Sequence, residues 1–243
     1  MSALSFLTTD ATSDSVAART PMERLAKAAG AHFERRDGWN VAVSFGPSTD
    51  DERRRIEQTV AFVDRSCMTK LELHGDSGVL ADVVASAGDG LALTPRVAAR
   101  ANGTRWCPVT PSRVLALGEP AGAEALRGSV AQAVSEAGGD HNVTVVDLTC
   151  GMSALSLIGP GCSELLARLC AIDVRLTVTP VAGFRPGSIA RTPGYLLRED
   201  EDQLLIMVGW ALGEYLWQVI ADAAEHLGGG PVGMDAIAER QRA

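Results

Sequence analysis

A chain of 243 residues, 46% of them hydrophobic and with a net charge of −8, can bury a substantial core as one large domain or two tightly joined halves. The negative charge opposes non-specific attraction to phosphate backbones and sets aside nucleic acid as a partner in the absence of a local basic patch. The opening MSALSFLTTDATSDSVAART lacks a basic start followed by an apolar run, and no later apolar stretch approaches the roughly 20 residues that span a bilayer. Residues 1–20 therefore read as a flexible tail, residues 21–243 as the folded unit, and the membrane is excluded. Five cysteines, Cys67, Cys107, Cys150, Cys162 and Cys170, form no C-x-x-C pair, which predicts buried reduced thiols in a cytoplasmic protein. Four scattered histidines have no metal-binding spacing, so no metal site is expected.

In chain order, PMERLAKAAGAHF carries Met22, Leu25, Ala26, Ala29 and Phe33 at helical steps behind a proline, which predicts a helix. WNVAVSF alternates as a strand. In STDDERRRIEQTVAFVDRS, a capping run of Ser48, Thr49 and Asp50 precedes Asp51 and Glu52, which suit the positive end of the helix dipole. Ile56, Val60 and Val63 give its buried stripe, and Arg53, Arg54 and Arg55 read as a solvated face with carboxylate neighbours. KLELHG is a strand, with His74 at the surface. GVLADVVASAG is a helix turning at Asp89-Gly90, and TRWCPVTPSRVLALG is two strands about Thr110-Pro111-Ser112. A helix over 121–137 leads to the strands NVTVVDLT and SALSLIG.

The turn Gly159-Pro160-Gly161 lacks the Lys-Ser/Thr of a phosphate-binding loop and reads as a close-packing turn. The helix LGEYLWQVIADAAEHLG places Leu212, Tyr215, Leu216, Val219 and Ile220 on one face. Gly228-Gly229-Gly230-Pro231 reads as a linker to a terminal helix within residues 231–243. Helices mixed with hairpins predict an α+β fold with antiparallel sheets covered by helices.

The segments ERRRIEQTVAFVDRSCMTKLELHG, VVDLTCGMSALSLIGPGCSELLARLCAIDV and GEYLWQVIADAAEHLGGGPVGMDAIAER are similar, in that order, to the large N-terminal region of the aminomethyltransferases, the T-proteins of glycine cleavage. GLALTPRVAARANGTRWCPVTPSRVLALGEP and FRPGSIARTPGYLLREDEDQLLIMVGWALGEYLW resemble still more the gamma subunit of heterotetrameric sarcosine oxidase. The resemblance covers most of the chain after residue 20. It implies two ferredoxin-like halves around a cleft that holds tetrahydrofolate in the T-proteins. There one carboxylate takes the amino and ring N–H groups of the pterin, and an aspartate assists one-carbon transfer. The T-proteins continue into a C-terminal barrel-like domain where this sequence stops after GMDAIAERQRA, so no C-terminal barrel domain is expected here.

The T-protein pattern R-T-G-Y-T-G-E-D meets RTPGYLLRED here, which supplies Arg191, Thr192, Gly194, Tyr195, Glu199 and Asp200 with Pro193 inserted and Leu-Leu-Arg in place of Thr-Gly. In that register Glu199 is the candidate pterin carboxylate, Tyr195 a stacking wall, and Arg191 a third folate contact. In a competing register PGYLL and QLLIMV are paired strands joined by the acidic run Glu199–Asp202. The bulky Leu-Leu favours the hairpin, and so does the cost of burying four acidic residues without cations. No acidic residue occurs from Leu91 to Val109, where the transfer aspartate belongs, and Cys67 stands where DRSC departs from D-x-S-H. Cys67 has no adjacent base and reads as a buried thiol.

Two functions follow as expectations. The first is an accessory, gamma-like subunit of a heteromeric oxidase or dehydrogenase of an N-methyl amino acid such as sarcosine, in folate-linked one-carbon metabolism. Flavin would then sit only in larger partner subunits, and Trp210, Tyr215 and Trp217 would offer a docking face. The second is a stand-alone tetrahydrofolate-dependent one-carbon transferase using Glu199, Tyr195 and Arg191, with Asp147 at the end of VVDLT as a replacement acid. A folate-binding regulator without turnover is a third.

Overall fold

The computed structural model describes residues 17–46, 49–137 and 143–240. Its first elements are helix α1 (Glu23–Ala28) and the hairpin of β1 (Ala31–Arg36) and β2 (Trp39–Phe45). The helix expected to run to Phe33 stops early because Gly30 adopts φ +86°, a left-handed conformation that ends the turn. Phe33 then pairs with Ala42 across the hairpin. Ala18 bridges to Trp39, so pairing reaches into the predicted tail; residues 1–16 lie outside the described residues, as does Ser48 of the predicted cap.

Helix α2 (Thr49–Gln58) is followed by β3 (Ala61–Asp64). Val60 and Val63, expected on the helix, instead lead into and occupy this strand. The turn Gly159-Pro160-Gly161 packs against the end of α2: a Cβ on Gly159 would lie 2.7 Å from the Ile56 carbonyl and 2.8 Å from that of Thr59. The close-packing reading of that turn therefore holds. The remaining elements are β4 (Thr69–His74), α3 (Ser77–Ala87), β5 (Ala99–Ala101), β6 (Thr104–Thr110), β7 (Arg113–Gly118), α4 (Ala123–Glu136), β8 (Thr144–Asp147) and β9 (Met152–Ile158). After them come α5 (Cys162–Ala167), β10 (Phe184–Ile189), β11 (Thr192–Asp200), β12 (Gln203–Gly209), α6 (Gly213–Glu225), β13 (Gly230–Pro231) and α7 (Met234–Arg240).

Besides the β1-β2 hairpin, two larger sheets form among the described residues, one in the order β10-β11-β12-β9-β3-β13 and one in the order β5-β6-β7-β4-β8. All neighbours are antiparallel except the short β13–β3 pair. The fold is α+β, with two ferredoxin-like halves packed sheet to sheet. Period-two alternation assigns the faces. Leu197, Leu205 and Met207 of the first sheet meet Cys107, Leu115 and Leu117 of the second in the seam. Leu196, Leu204 and Ile206 point the other way, onto Leu165 of α5 and Leu216 and Ile220 of α6. Leu71, Leu73 and Trp106 likewise face Val83 and Val84 of α3 and Val130 of α4. Each such burial is worth about 1.5–3 kcal/mol.

Residues 230–240 close the molecule. The last two residues of the predicted glycine linker, Gly230 and Pro231, form a short edge strand. A Cβ on Gly229 would stand 2.0 Å from the Val60 carbonyl, and one on Gly233 1.9 Å from that of Val43. The Glu52 side chain, in the first turn of α2, turns inward and accepts from the Phe45 and Gly233 amides. Arg53 and Arg54 do pair with Glu57 and Asp51 on the solvated face. Trp217 is core: its ring meets Phe62 edge-on at 4.9 Å and is 5% exposed, which removes it from the expected docking face. Trp210 leans on Trp39 at 6.3 Å, and of the three aromatics only Tyr215 is exposed. Among the described residues, no helix is long and apolar enough to cross a membrane.

Candidate functional site at the seam

The chain passes between sheets twice, at residues 65–68 after β3 and at residues 148–151 after β8. Backbone polar groups that leave one sheet before reaching the other need partners, and Lys70 supplies several. This fully buried lysine donates from Nζ to the carbonyls of Ser66 (2.8 Å), Met68 (2.8 Å) and Thr149 (3.3 Å), tying both crossings together. Burial lowers its pKa to about 8. Beside it, Asp64 accepts from the Ser66 amide at 2.9 Å and from the Thr20 hydroxyl, and burial raises its carboxyl. Cys67 is buried as expected; burial, and then Asp64, push its thiol up to about 12, so no thiolate nucleophile is held there. Burial pushes up the Cys107 thiol as well. Cys150 departs from the expectation of buried thiols: it is exposed.

At one end of the seam the apolar packing gives way to charge. The acidic stretch is a hairpin, β11 returning as β12 about Glu201-Asp202. Only part of it is solvated, because Glu199 shares the inward face of β11 with Tyr195 and Leu197. Its side chain is 1% exposed. The Glu199 carboxylate receives both oxygens' worth of contact from Arg65 Nη1 (2.8 and 3.0 Å), with Arg105 Nη1 at 2.9 Å and Gln203 Nε2 at 2.7 Å. Ser156 Oγ lies at 3.5 Å. Arg65 also pairs with Glu119. Burial alone would raise the Glu199 carboxyl, yet Arg65 and then Arg105 outweigh it and hold the group below the usual carboxylate range. The cations whose absence would have kept an acidic residue out of the core are therefore present, one 134 residues away in sequence. Beside this cluster lies a cavity of about 470 Å³ walled by Arg65, Arg100, Arg105, Glu119, Glu199 and Gln203, with Met234 and Ile237 from the closing segment.

The other sequence candidates fall elsewhere. Tyr195 stacks on Phe184 at 5.4 Å, and its hydroxyl accepts from Arg113 at 3.2 Å. Arg191 lies in the exposed turn before β11, and Glu199 is seven residue steps along the strand from Thr192, roughly 23 Å. The structure thus places Glu199 and Tyr195 on one face but leaves Arg191 at the far end. Asp147 ends β8, accepts from the Thr149 amide at 2.8 Å and pairs with Arg127 at 3.0 Å. Burial would raise its carboxyl; the Thr149 and Arg127 contacts prevail and lower it, which disfavours the protonated form a replacement acid requires. It opens onto a separate cavity of about 540 Å³ with Trp39, Thr69 and Cys150. Arg65 and Arg105 were missed as site residues. The alternation of TRWCPV carried the signal, since it puts Arg105 on the same strand face as buried Cys107. Among the described residues, no group of three or more His, Cys, Asp or Glu side chains could hold a metal.

No family model matches the chain and no curated protein matches it. Solved structures do. Aminomethyltransferase T of the glycine cleavage system from Bartonella henselae superposes with a TM-score of 0.75 at 16% identity, over 90% of this chain. The match covers 60% of the transferase, so this chain spans less than two thirds of that protein's length. A chain of heterotetrameric sarcosine oxidase from Corynebacterium sp. U-96, solved with pyrrole 2-carboxylate, superposes with a TM-score of 0.66 at 22% identity, over 88% of this chain and 97% of that one. The fold is the one shared by these two proteins.

Proposed function

We propose that this chain is an accessory, gamma-like subunit of a hetero-oligomeric, flavin-dependent oxidase or dehydrogenase of an N-methyl amino acid of the sarcosine type. The flavin and the reacting amine belong to larger partner chains, and this subunit contributes surface and stability. One observation carries the reading: the carboxylate best placed to receive a pterin, Glu199, already accepts from Arg65, Arg105 and Gln203. A carboxylate with these donors has little capacity left for two ligand N–H groups. The stretch 91–109, without a single acidic residue, gives no transfer aspartate, and Asp147 is already paired with Arg127. Near end-to-end correspondence with the sarcosine oxidase chain supports the same role. Five unpaired thiols support the cytoplasm as its compartment.

The test is purification of the tagged chain from its native host. Larger chains in fixed stoichiometry, carrying flavin absorbance and oxidising sarcosine or a related secondary amine, are the expected result. A colourless protein that elutes alone would overturn the reading.

A stand-alone tetrahydrofolate-dependent transferase is the second reading, favoured by the arginine-walled cavity beside Glu199. It requires saturable quenching of tryptophan fluorescence by tetrahydrofolate, lost in Glu199→Gln. The accessory reading expects no saturable quenching.

A further inference from the structure

The negative charge of this protein is unevenly spread. Residues 91–113 and 168–198 together hold nine of its 22 basic residues, all arginine, and one acidic residue, Asp173. Residues 96–98 of the first segment and 182–184 of the second are hydrogen-bonded to each other. Strand β10 is the edge of one sheet and β5 the edge of the other. The connections beside them are joined by Ala98 N to the Ala182 carbonyl at 2.7 Å and Phe184 N to the Arg96 carbonyl at 2.8 Å.

The irregular segment between α5 and β10 is held as a rigid surface. Arg198, fully buried, donates to the carbonyls of Thr179, Glu201 and Val174. Arg185 donates to those of Val178, Arg96 and Phe184. These contacts fix the backbone and leave both positive charges without a carboxylate. Among the described residues no carboxylate lies within ion-pair distance of Arg96, Arg100, Arg185, Arg191 or Arg198, whereas most arginines elsewhere are paired. On this held backbone stand Val97, Leu176, Val178 and Val181, each 36–45% exposed, four of the seven exposed large apolar side chains among the described residues.

We propose that this edge face is the docking surface through which the chain joins its larger partner, and that the partner presents an apolar patch ringed by aspartate and glutamate. The proposal rests on the accessory-subunit reading. Charge complementarity selects the partner: an apolar centre inside uncompensated positive charge matches an acidic-rimmed patch and steers its approach. The two segments 94–100 and 170–191 match the 20–30 residues that a standard interface takes from each side. A polyanion fits less well. The Arg185 and Arg198 donors are spent on carbonyls, and the centre is aliphatic, with no aromatic platform for bases.

The experiment uses the native complex and two double variants of the full chain: Leu176→Glu/Val181→Glu on this face, and Val145→Glu/Val146→Glu on the exposed edge strand β8 as a control. The replaced side chains are exposed, and unchanged circular dichroism and melting confirm folding. The face variant is expected to weaken association about tenfold or more, the control to leave it unchanged, and wild-type association to weaken as salt rises. A flavin complex that forms equally well with the face variant overturns the docking surface while leaving the accessory role intact. Absence of any flavin complex with wild-type protein overturns that role. Retention of wild-type protein on heparin or anionic vesicles that the face variant loses, with the complex unaffected, would reassign the surface to a polyanion.

Discussion

The centre of the seam and its charged end are built from opposite materials. At its centre Leu115, Leu117, Leu197, Leu205 and Met207 interdigitate, and each contact is individually replaceable because dispersion and burial are shared among many neighbours. At its charged end, Arg65 and Arg105 share one carboxylate: removing Glu199 strips Arg105 of its partner and leaves the buried Arg65 with Glu119 alone. A buried ion cluster of this kind gives modest net stability but heavily penalises its own partial loss. The apolar centre sets how firmly the sheets adhere, and the charged end sets how they are aligned.

That contrast can be broken most sharply at Glu199. Glu199→Ala is expected to cost about 3–5 kcal/mol in urea unfolding, and Glu199→Leu combined with Arg65→Met should recover much of it. A double variant no more stable than Glu199→Ala would sink the mutual dependence. Leu205→Ala, at the apolar centre, should lose about 2–4 kcal/mol through its cavity, without any such rescue partner.

Lys70→Met should lose about 2–3 kcal/mol at neutral pH, because three crossing carbonyls lose their donor. The sign of its pH dependence follows from the lowered pKa. Between pH 8 and the ordinary lysine range, the unfolded chain holds a proton that the folded chain does not, so the Lys70 contribution rises with pH there. The wild-type advantage over Lys70→Met should widen across that window, and a narrowing one would contradict the burial cause.

Glu199 follows the same sign in a more acidic window. Its depressed pKa gives stability that is present above the unfolded carboxyl value of 4.5 and lost as pH falls through the folded one. The gap between wild type and Glu199→Gln should therefore be flat near neutrality and close in acid. The smallest effect is expected at Cys150. Cys150→Ser should change stability by less than about 0.5 kcal/mol, while removing the thiol that reacts fastest with an aromatic disulfide. Cys67, Cys107 and Cys162 should react only on unfolding.

Much of the fold was readable because it is written locally. The alternation of WNVAVSF and KLELHG and the turn at Thr110-Pro111-Ser112 gave strands and a hairpin where they occur. Failures came where a periodic pattern ran past a backbone break. Leu25, Ala29 and Phe33 keep helical spacing across Gly30, and Ile56, Val60 and Val63 do so across the end of α2. The acidic hairpin was legible too, and its alternation with Tyr195 and Leu197 pointed Glu199 inward. What no local pattern could show was the partner arginine 134 residues upstream, so the cost of burying the carboxylate was reckoned without its counter-charge. Trp217 was misassigned for the same reason, its aromatic neighbours Phe45 and Phe62 lying far back in the chain.

The pairing of β13 with β3, Gly230 beside Ala61, has a consequence for biogenesis. Synthesis delivers residues 61–64 long before 230–240, so on the ribosome the edge of β3 and the carboxylate of Glu52 wait uncovered while the intervening residues are made. A nascent chain in that state offers an open strand edge to any neighbour. Docking of residues 230–233 is therefore also a form of quality control: until Gly233 reaches Val43 and Glu52, the sheet can still template a wrong partner, and afterwards residues 61–62 are covered.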